Sequence, residues 1–322
     1  MYKSFYHLNR NPFEITPDPA FLFPTRKHNE ALAALYYGVR HHKGFVVLTG
    51  EVGTGKTLLL RCLLHLLKKS NDVAYAYVFN GRLTPVEFLQ YIASDFRLPA
   101  ANKNKSELLL ELANFVISRG RQNLTTVLVV DEAHQLSASI LEEIRLLTNL
   151  ETTQSKLLQI LLVGQPELDE KLDSYQLRQL KQRIAFRSQL TPLDENETRG
   201  YIERRLQLAG ANSDASTLFP SQTVAAVYRY SGGLPRLINT ICENALIAAY
   251  ANGAVTVPPT IIEDIAAQFR LGVTHSDASD NPLAFDDLDI SEAAKAFVEL
   301  YERLQRTPEF LRAAIPHQED RE

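Results

Sequence analysis

Apolar and polar positions alternate along this chain in two rhythms. Short apolar runs recur at Phe45–Leu48, Val73–Phe79, Val127–Val130 and Leu157–Val163, and runs of this length between polar flanks predict buried strands. Between them the apolar residues follow the helical period, as in His28–Val39, where Ala31, Leu32, Leu35, Tyr36 and Val39 share one face. The same period predicts helices over Lys56–Lys69, Pro85–Phe96, Lys105–Arg119 and Ser139–Leu150. Strands alternating with helices predict an α/β fold with a parallel sheet covered on both faces.

Beyond a last short strand at Phe186–Leu190 the rhythm changes. Helical patterns run through Glu195–Ala209, Ser221–Ser231, Leu234–Ala251 and Pro259–Phe269, which predicts a smaller all-helical domain. Pro12, Pro17, Pro19 and Pro24 keep the start of the chain out of any long helix, because proline removes a donor and restricts its predecessor. The expected organisation is an extended arm (1–27), a sheet domain (28–190), a helical lid domain (191–272), an acidic linker (273–290) and a C-terminal helix with tail (291–322). Within the last part, Glu292–Arg306 follows Ser291 as N-cap and lines up Phe297, Leu300, Tyr301 and Leu304, a stripe expected to dock on some surface.

Composition narrows the class. With 322 residues, 45% apolar and 22% charged, the chain has globular proportions, which excludes disorder throughout. No apolar run approaches the ~20 residues of a membrane span, and Met1-Tyr2-Lys3-Ser4 leads into no signal-peptide core. A cytoplasmic protein is expected, peripheral to the inner membrane only through a partner. Cys62 and Cys242 sit singly in apolar helical patterns, which suits buried thiols and excludes a disulfide framework or a cysteine zinc site. The net charge of −4 gives no overall basic field for nucleic acid.

Glycine is scarce, yet Gly50, Gly53 and Gly55 fall within six residues. Gly50-Glu51-Val52-Gly53-Thr54-Gly55-Lys56-Thr57 fits the P-loop pattern between a predicted strand and a predicted helix, with Leu58 adjoining. Glycines let consecutive N–H groups face a phosphate, Lys56 neutralises the β- and γ-phosphates, and Thr57 ligates magnesium. ATP and Mg²⁺ are the expected ligands. Val127-Leu128-Val129-Val130-Asp131-Glu132 resembles a Walker B strand, with Asp131 on the metal shell and Glu132 polarising the attacking water. Asp131-Glu132-Ala133-His134 also spells a helicase signature, but no second RecA-like domain follows.

Three further residues extend the site. Gln165, after the Leu157–Val163 strand, is a candidate γ-phosphate sensor or a loop residue capping the turn before Pro166. Arg183, with Arg178 in reserve, belongs to a cationic helix end at the edge of the sheet domain and is a candidate to enter a neighbouring subunit's site. Arg236 follows Gly232-Gly233-Leu234-Pro235 and would face the nucleotide from the helical domain.

This order of motifs resembles the AAA+ ATPases over roughly residues 5–270. Asn11-Pro12-Phe13-Glu14, Leu161-Leu162-Val163-Gly164-Gln165-Pro166 and Ser231-Gly232-Gly233-Leu234-Pro235-Arg236-Leu237-Ile238-Asn239 resemble the ExeA family within them, ATPases of secretion, pilus and exopolysaccharide systems. The resemblance implies ATP hydrolysis in a homo-oligomeric ring or filament coupled to envelope-assembly or secretion proteins. It also implies that Pro12 and Phe13 pack near the base, although packing on the first helix explains them equally well. The rival reading is an ATP-switched DNA-binding regulator resembling the TnsC-like ATPases of transposition, its phosphates tracked by Lys103, Lys105, Arg119 and Arg121. Negative net charge and the lack of interleaved aromatics weigh against it.

Overall fold

The computed structural model describes residues 2–79, 82–211 and 215–272. The acidic linker and the C-terminal helix expected at 273–322 lie outside the described residues. Five parallel strands form one sheet: β1 (Phe45–Gly50), β2 (Val73–Val78), β3 (Thr125–Val130), β4 (Leu158–Gly164) and β5 (Phe186–Leu190), in the spatial order β2-β3-β4-β1-β5. Val130 pairs with Leu162 and Thr49 with Gly164. Since every pair is parallel, the residues following β1, β3 and β4 emerge together at one edge of the sheet.

Helices cover both faces. Strand residues alternate sides, so Leu128 and Val130 face one core while Val127 and Val129 face the other. The first core takes α4 (Pro85–Asp95), α5 (Lys105–Arg121), α6 (Ala138–Leu147), α7 (Glu167–Asp173) and the short α8 (Arg178–Lys181). The second takes α2 (Arg26–Arg40) and α3 (Lys56–Lys68). Leu35, Leu59, Leu63 and Leu67 are completely buried there, each side chain worth about 1.5–3 kcal/mol relative to exposure. Cys62 and Cys242 are both buried free thiols, as expected.

Local sequence sets the helix starts. Thr84 with Glu87, and Asn104 with Glu107, form reciprocal capping boxes ahead of α4 and α5, satisfying two otherwise orphaned N–H groups at each start. Thr25 caps α2, so that helix begins at Arg26 rather than His28.

The helical domain comprises α9 (Glu195–Leu208), α10 (Ala215–Leu218), α11 (Ser221–Ser231), α12 (Pro235–Ala251) and α13 (Pro259–Gln268), packed around Ile202, Val227, Ile238, Leu246 and Ile262. Gly233 holds the turn between α11 and α12 against the segment that leads into α9. Its φ is +73°, and a Cβ there would stand 1.9 Å from the Leu193 carbonyl oxygen, while Leu193 N–H donates to the Gly233 carbonyl at 2.9 Å. No side chain fits that crossing.

The arm is less extended than its prolines suggest. It opens with a helical turn, α1 (Tyr2–Phe5), and straps the helical domain, with Tyr2 donating to Glu243 and Arg205 donating to the Pro12 carbonyl, each at 2.7 Å. Phe13 is fully buried against Phe219 of the helical domain, with ring centroids 5.8 Å apart. That contact corrects the packing of Phe13 expected on the first helix, because the arm reaches the helical domain before it reaches α2.

Candidate functional site

The P-loop spans the turn from β1 to α3. Gly53 has φ +88°, and a Cβ there would meet the Arg236 side chain at 2.8 Å. Among the described residues, the N–H groups of Val52, Gly53 and Gly55 find no acceptor within the chain. Unpaired N–H groups at the start of a helix form a cradle for an anion. Thr54 is buried, its hydroxyl donating to the Glu51 carbonyl at 2.8 Å.

Lys56 is only 7% exposed and donates to the carbonyls of Gly50 at 2.7 Å and Glu51 at 2.9 Å. The side chain therefore folds inward over its own loop. Burial lowers its pKa, opposed by Glu132 and Asp131. A desolvated ammonium has a strong electrostatic demand for an anion.

At the end of β3, Asp131 is 5% exposed. Its Oδ2 accepts from the Thr57 hydroxyl at 3.1 Å and from the Tyr77 hydroxyl at 2.8 Å, and its Oδ1 accepts from Glu132 N–H at 2.9 Å. Glu132 takes a left-handed backbone with φ +53°, a conformation costing a residue with a Cβ about 1–3 kcal/mol and found at functional turns. Thr57 and Asp131 offer hard oxygen donors of the kind Mg²⁺ takes. No group of three or more metal-ligating side chains occurs among the described residues, so phosphate oxygens and water would have to complete a magnesium shell.

Gln165 follows β4, which neighbours β3 in the sheet. Its side chain reaches His134, Nε2 to Nε2, at 3.1 Å. Arg236 opens α12 with its backbone N–H on the Gly53 carbonyl at 3.2 Å, its side chain exposed. Arg183 lies just before β5, at the sheet edge opposite the P-loop. Five residues of strand, roughly 16 Å, separate those edges.

Several residues were missed from the sequence. Tyr77 steadies Asp131, and burial together with the Asp131 charge pushes its pKa up; the aromatic repeat Tyr75, Tyr77 within a strand was its only trace. His28 links α2 to the P-loop: its Nδ1 lies 2.7 Å from the Thr25 hydroxyl and its Nε2 3.1 Å from the Thr54 carbonyl. Burial lowers its pKa, and the carbonyl requires Nε2 to carry the proton. Beside it lies a cavity lined by Leu22, Phe23, Leu58, Leu193, Tyr201 and Pro235. Arm, α3, α9 and α12 meet there, so no contiguous motif announces it.

The cations proposed to track DNA are largely engaged. Lys103 pairs with Glu111 at 2.6 Å and Lys105 with Glu143 at 2.5 Å, and Arg119 donates to the Asp72 and Thr125 carbonyls.

The parallel sheet, P-loop and acid pair define a AAA-type P-loop ATPase. Residues 39–172 match the family described as AAA domain. The chain is 44% identical over 255 residues to general secretion pathway protein A of Aeromonas hydrophila, covering 79% of this chain and 46% of that protein. It belongs with the ExeA-type AAA ATPases, and it spans about half the length of that curated relative. Among solved structures, the Aeropyrum pernix ORC2 protein aligns with TM-score 0.61 at 19% identity, over 81% of this chain and 72% of the other. Cdc6p from Pyrobaculum aerophilum aligns with TM-score 0.60 at 19% identity, over 77% and 68%. These likenesses show the fold. No helix among the described residues is long and apolar enough to cross a membrane.

Proposed function

We propose that the chain binds Mg-ATP at the β1–α3 loop and hydrolyses it in a homo-oligomer that drives or times assembly of a secretion, pilus or exopolysaccharide system. The observation that carries the ATPase reading is the joining of Thr57 and Asp131 across 3.1 Å beside an anion cradle. The envelope reading rests on the similarity to general secretion pathway protein A.

In this reading the free N–H groups of the P-loop and the Lys56 ammonium hold the phosphates, and the Leu22–Tyr201 cavity takes the adenine. Thr57 and Asp131 would hold the magnesium ion, which supplies positive charge to the phosphate oxygens when bound. Tyr77 fixes the Asp131 carboxylate, Glu132 orients and deprotonates water, and Gln165 senses the terminal phosphate. Arg236 approaches from the helical domain of the same chain. Arg183, on the wrong edge for its own site, acts on a neighbour's.

The decisive experiment compares wild type with Glu132→Gln in ATP turnover and in binding of a fluorescent ATP analogue. The amide keeps shape and loses basicity, so turnover should fall about 10²–10⁴-fold with affinity unchanged. Wild-type turnover in the variant would remove Glu132 from the mechanism.

A further inference from the structure

One member of the Asp131-Glu132-Ala133-His134 run has no part in the mechanism above. His134 is 14% exposed at its side chain, and its Nδ1 lies 3.5 Å from Glu132 Oε2. The same nitrogen lies 3.4 Å from the Gln165 backbone nitrogen, and Nε2 lies 3.1 Å from the Gln165 side-chain nitrogen. The turn beneath it is pinned. Lys171 donates to the His134 carbonyl and, at 3.1 Å, to that of Leu136, and a Cβ on Gly164 would stand 3.0 Å from the His134 nitrogen.

These contacts exclude one another. A neutral imidazole has one N–H and one lone pair. Nδ1 can donate to the Glu132 carboxylate only while it carries the proton, and it can accept from the Gln165 backbone N–H only while it does not. The side-chain amide of Gln165 decides between them. Turned with its NH₂ toward the ring, it calls for a bare Nε2, which puts the proton on Nδ1 facing Glu132. Turned with its carbonyl toward the ring, it calls for a proton on Nε2, which leaves Nδ1 to the Gln165 backbone and releases Glu132.

We propose that His134 is a positioning residue that converts the orientation of the Gln165 amide into the holding or release of the Glu132 carboxylate. The proton moves between ring nitrogens and the charge of the ring is unchanged. A terminal phosphate only accepts hydrogen bonds, so it draws the Gln165 NH₂ toward itself and turns the carbonyl to His134. Release of Glu132 is thereby tied to a bound triphosphate. The inference rests on the reading of Glu132 as the hydrolytic carboxylate and Gln165 as the phosphate sensor.

The test is suppression. Gln165→Ala leaves the ring to the Glu132 anion, a charge-assisted contact, so kcat at saturating ATP should fall about tenfold or more. Adding His134→Ala should raise kcat at least about threefold above the Gln165→Ala value, a non-additivity that damage to packing cannot produce. His134→Phe keeps the ring volume without its nitrogens and should give the same recovery should the alanine variant fold poorly. In ¹⁵N-histidine-labelled protein, a non-hydrolysable ATP analogue with Mg²⁺ should move the His134 proton from Nδ1 to Nε2, and ADP should not. A Gln165→Ala defect that neither His134 substitution relieves, or one tautomer in both nucleotide states, overturns the coupling alone. Wild-type turnover in Glu132→Gln or Gln165→Ala would instead bring down the reading beneath it, and the proposal with it.

Discussion

Two groups of charged residues in this molecule are satisfied in opposite ways. At the strand ends Asp131 is shared by Thr57, Tyr77 and Glu132 N–H, and Lys56 is folded onto two carbonyls. Arg178, Arg183 and Arg236 make no ion pair within 4 Å among the described residues, although Arg187, four residues from Arg183, pairs with both Asp169 and Asp173. Arg178 only stacks on Tyr175, 4.2 Å from its centroid. The strand ends are organised by hydrogen bonds within the chain, whereas these three arginines stand outside that network. In the proposed function, Arg236 meets the chain's own nucleotide and Arg183 a neighbour's.

The sharpest break in this comparison would come from Arg183. Arg183→Ala should cut turnover about a thousandfold in the assembled protein and leave ATP affinity near wild type. Mixing it with Glu132→Gln should restore part of the activity, because some interfaces then pair an intact Glu132 with an intact Arg183. Proven co-assembly without recovery would put the arginine elsewhere, with Arg178 next.

Lys56→Ala tests the organised side. It should weaken ATP binding about a hundredfold or more, measured by titration of a fluorescent analogue. Because the side chain is buried on two carbonyls, the variant should also lose about 1–3 kcal/mol of stability, read from denaturant unfolding. Unchanged affinity would remove Lys56 from the site.

The turn between α11 and α12 should be still less tolerant of substitution. Gly233→Ala forces a Cβ against the Leu193 carbonyl at a left-handed φ, so a loss of about 1–3 kcal/mol or more is expected in thermal or denaturant unfolding. A melting temperature equal to wild type would show that the crossing can open freely.

The smallest effect concerns His28, whose pKa burial lowers. The unfolded chain binds this proton more readily, so the contribution is present above the unfolded value of about 6.5 and is lost as pH falls through the folded value. The melting temperature of wild type should therefore fall more than that of His28→Gln between pH 7.5 and pH 5. Parallel curves would exclude His28 as a source of acid sensitivity.

What the sequence determined by itself is the part of the molecule built from contiguous residues. The strand at Val127–Val130, the P-loop and the acid pair each lie within a few neighbouring positions, where periodicity and local turn geometry suffice to place them. Chain order put Gln165 after a strand, and the sheet order made that strand the neighbour of β3. Only the tertiary structure decided the rest: the inward fold of Lys56, the Tyr77 bond to Asp131, the His28 contact with the P-loop, the cavity assembled from four separate elements, and the seat of Phe13 against Phe219. Each depends on groups from distant parts of the chain meeting in space, and burial, which lowers the pKa values of Lys56 and His28, is a property of that meeting rather than of any residue alone.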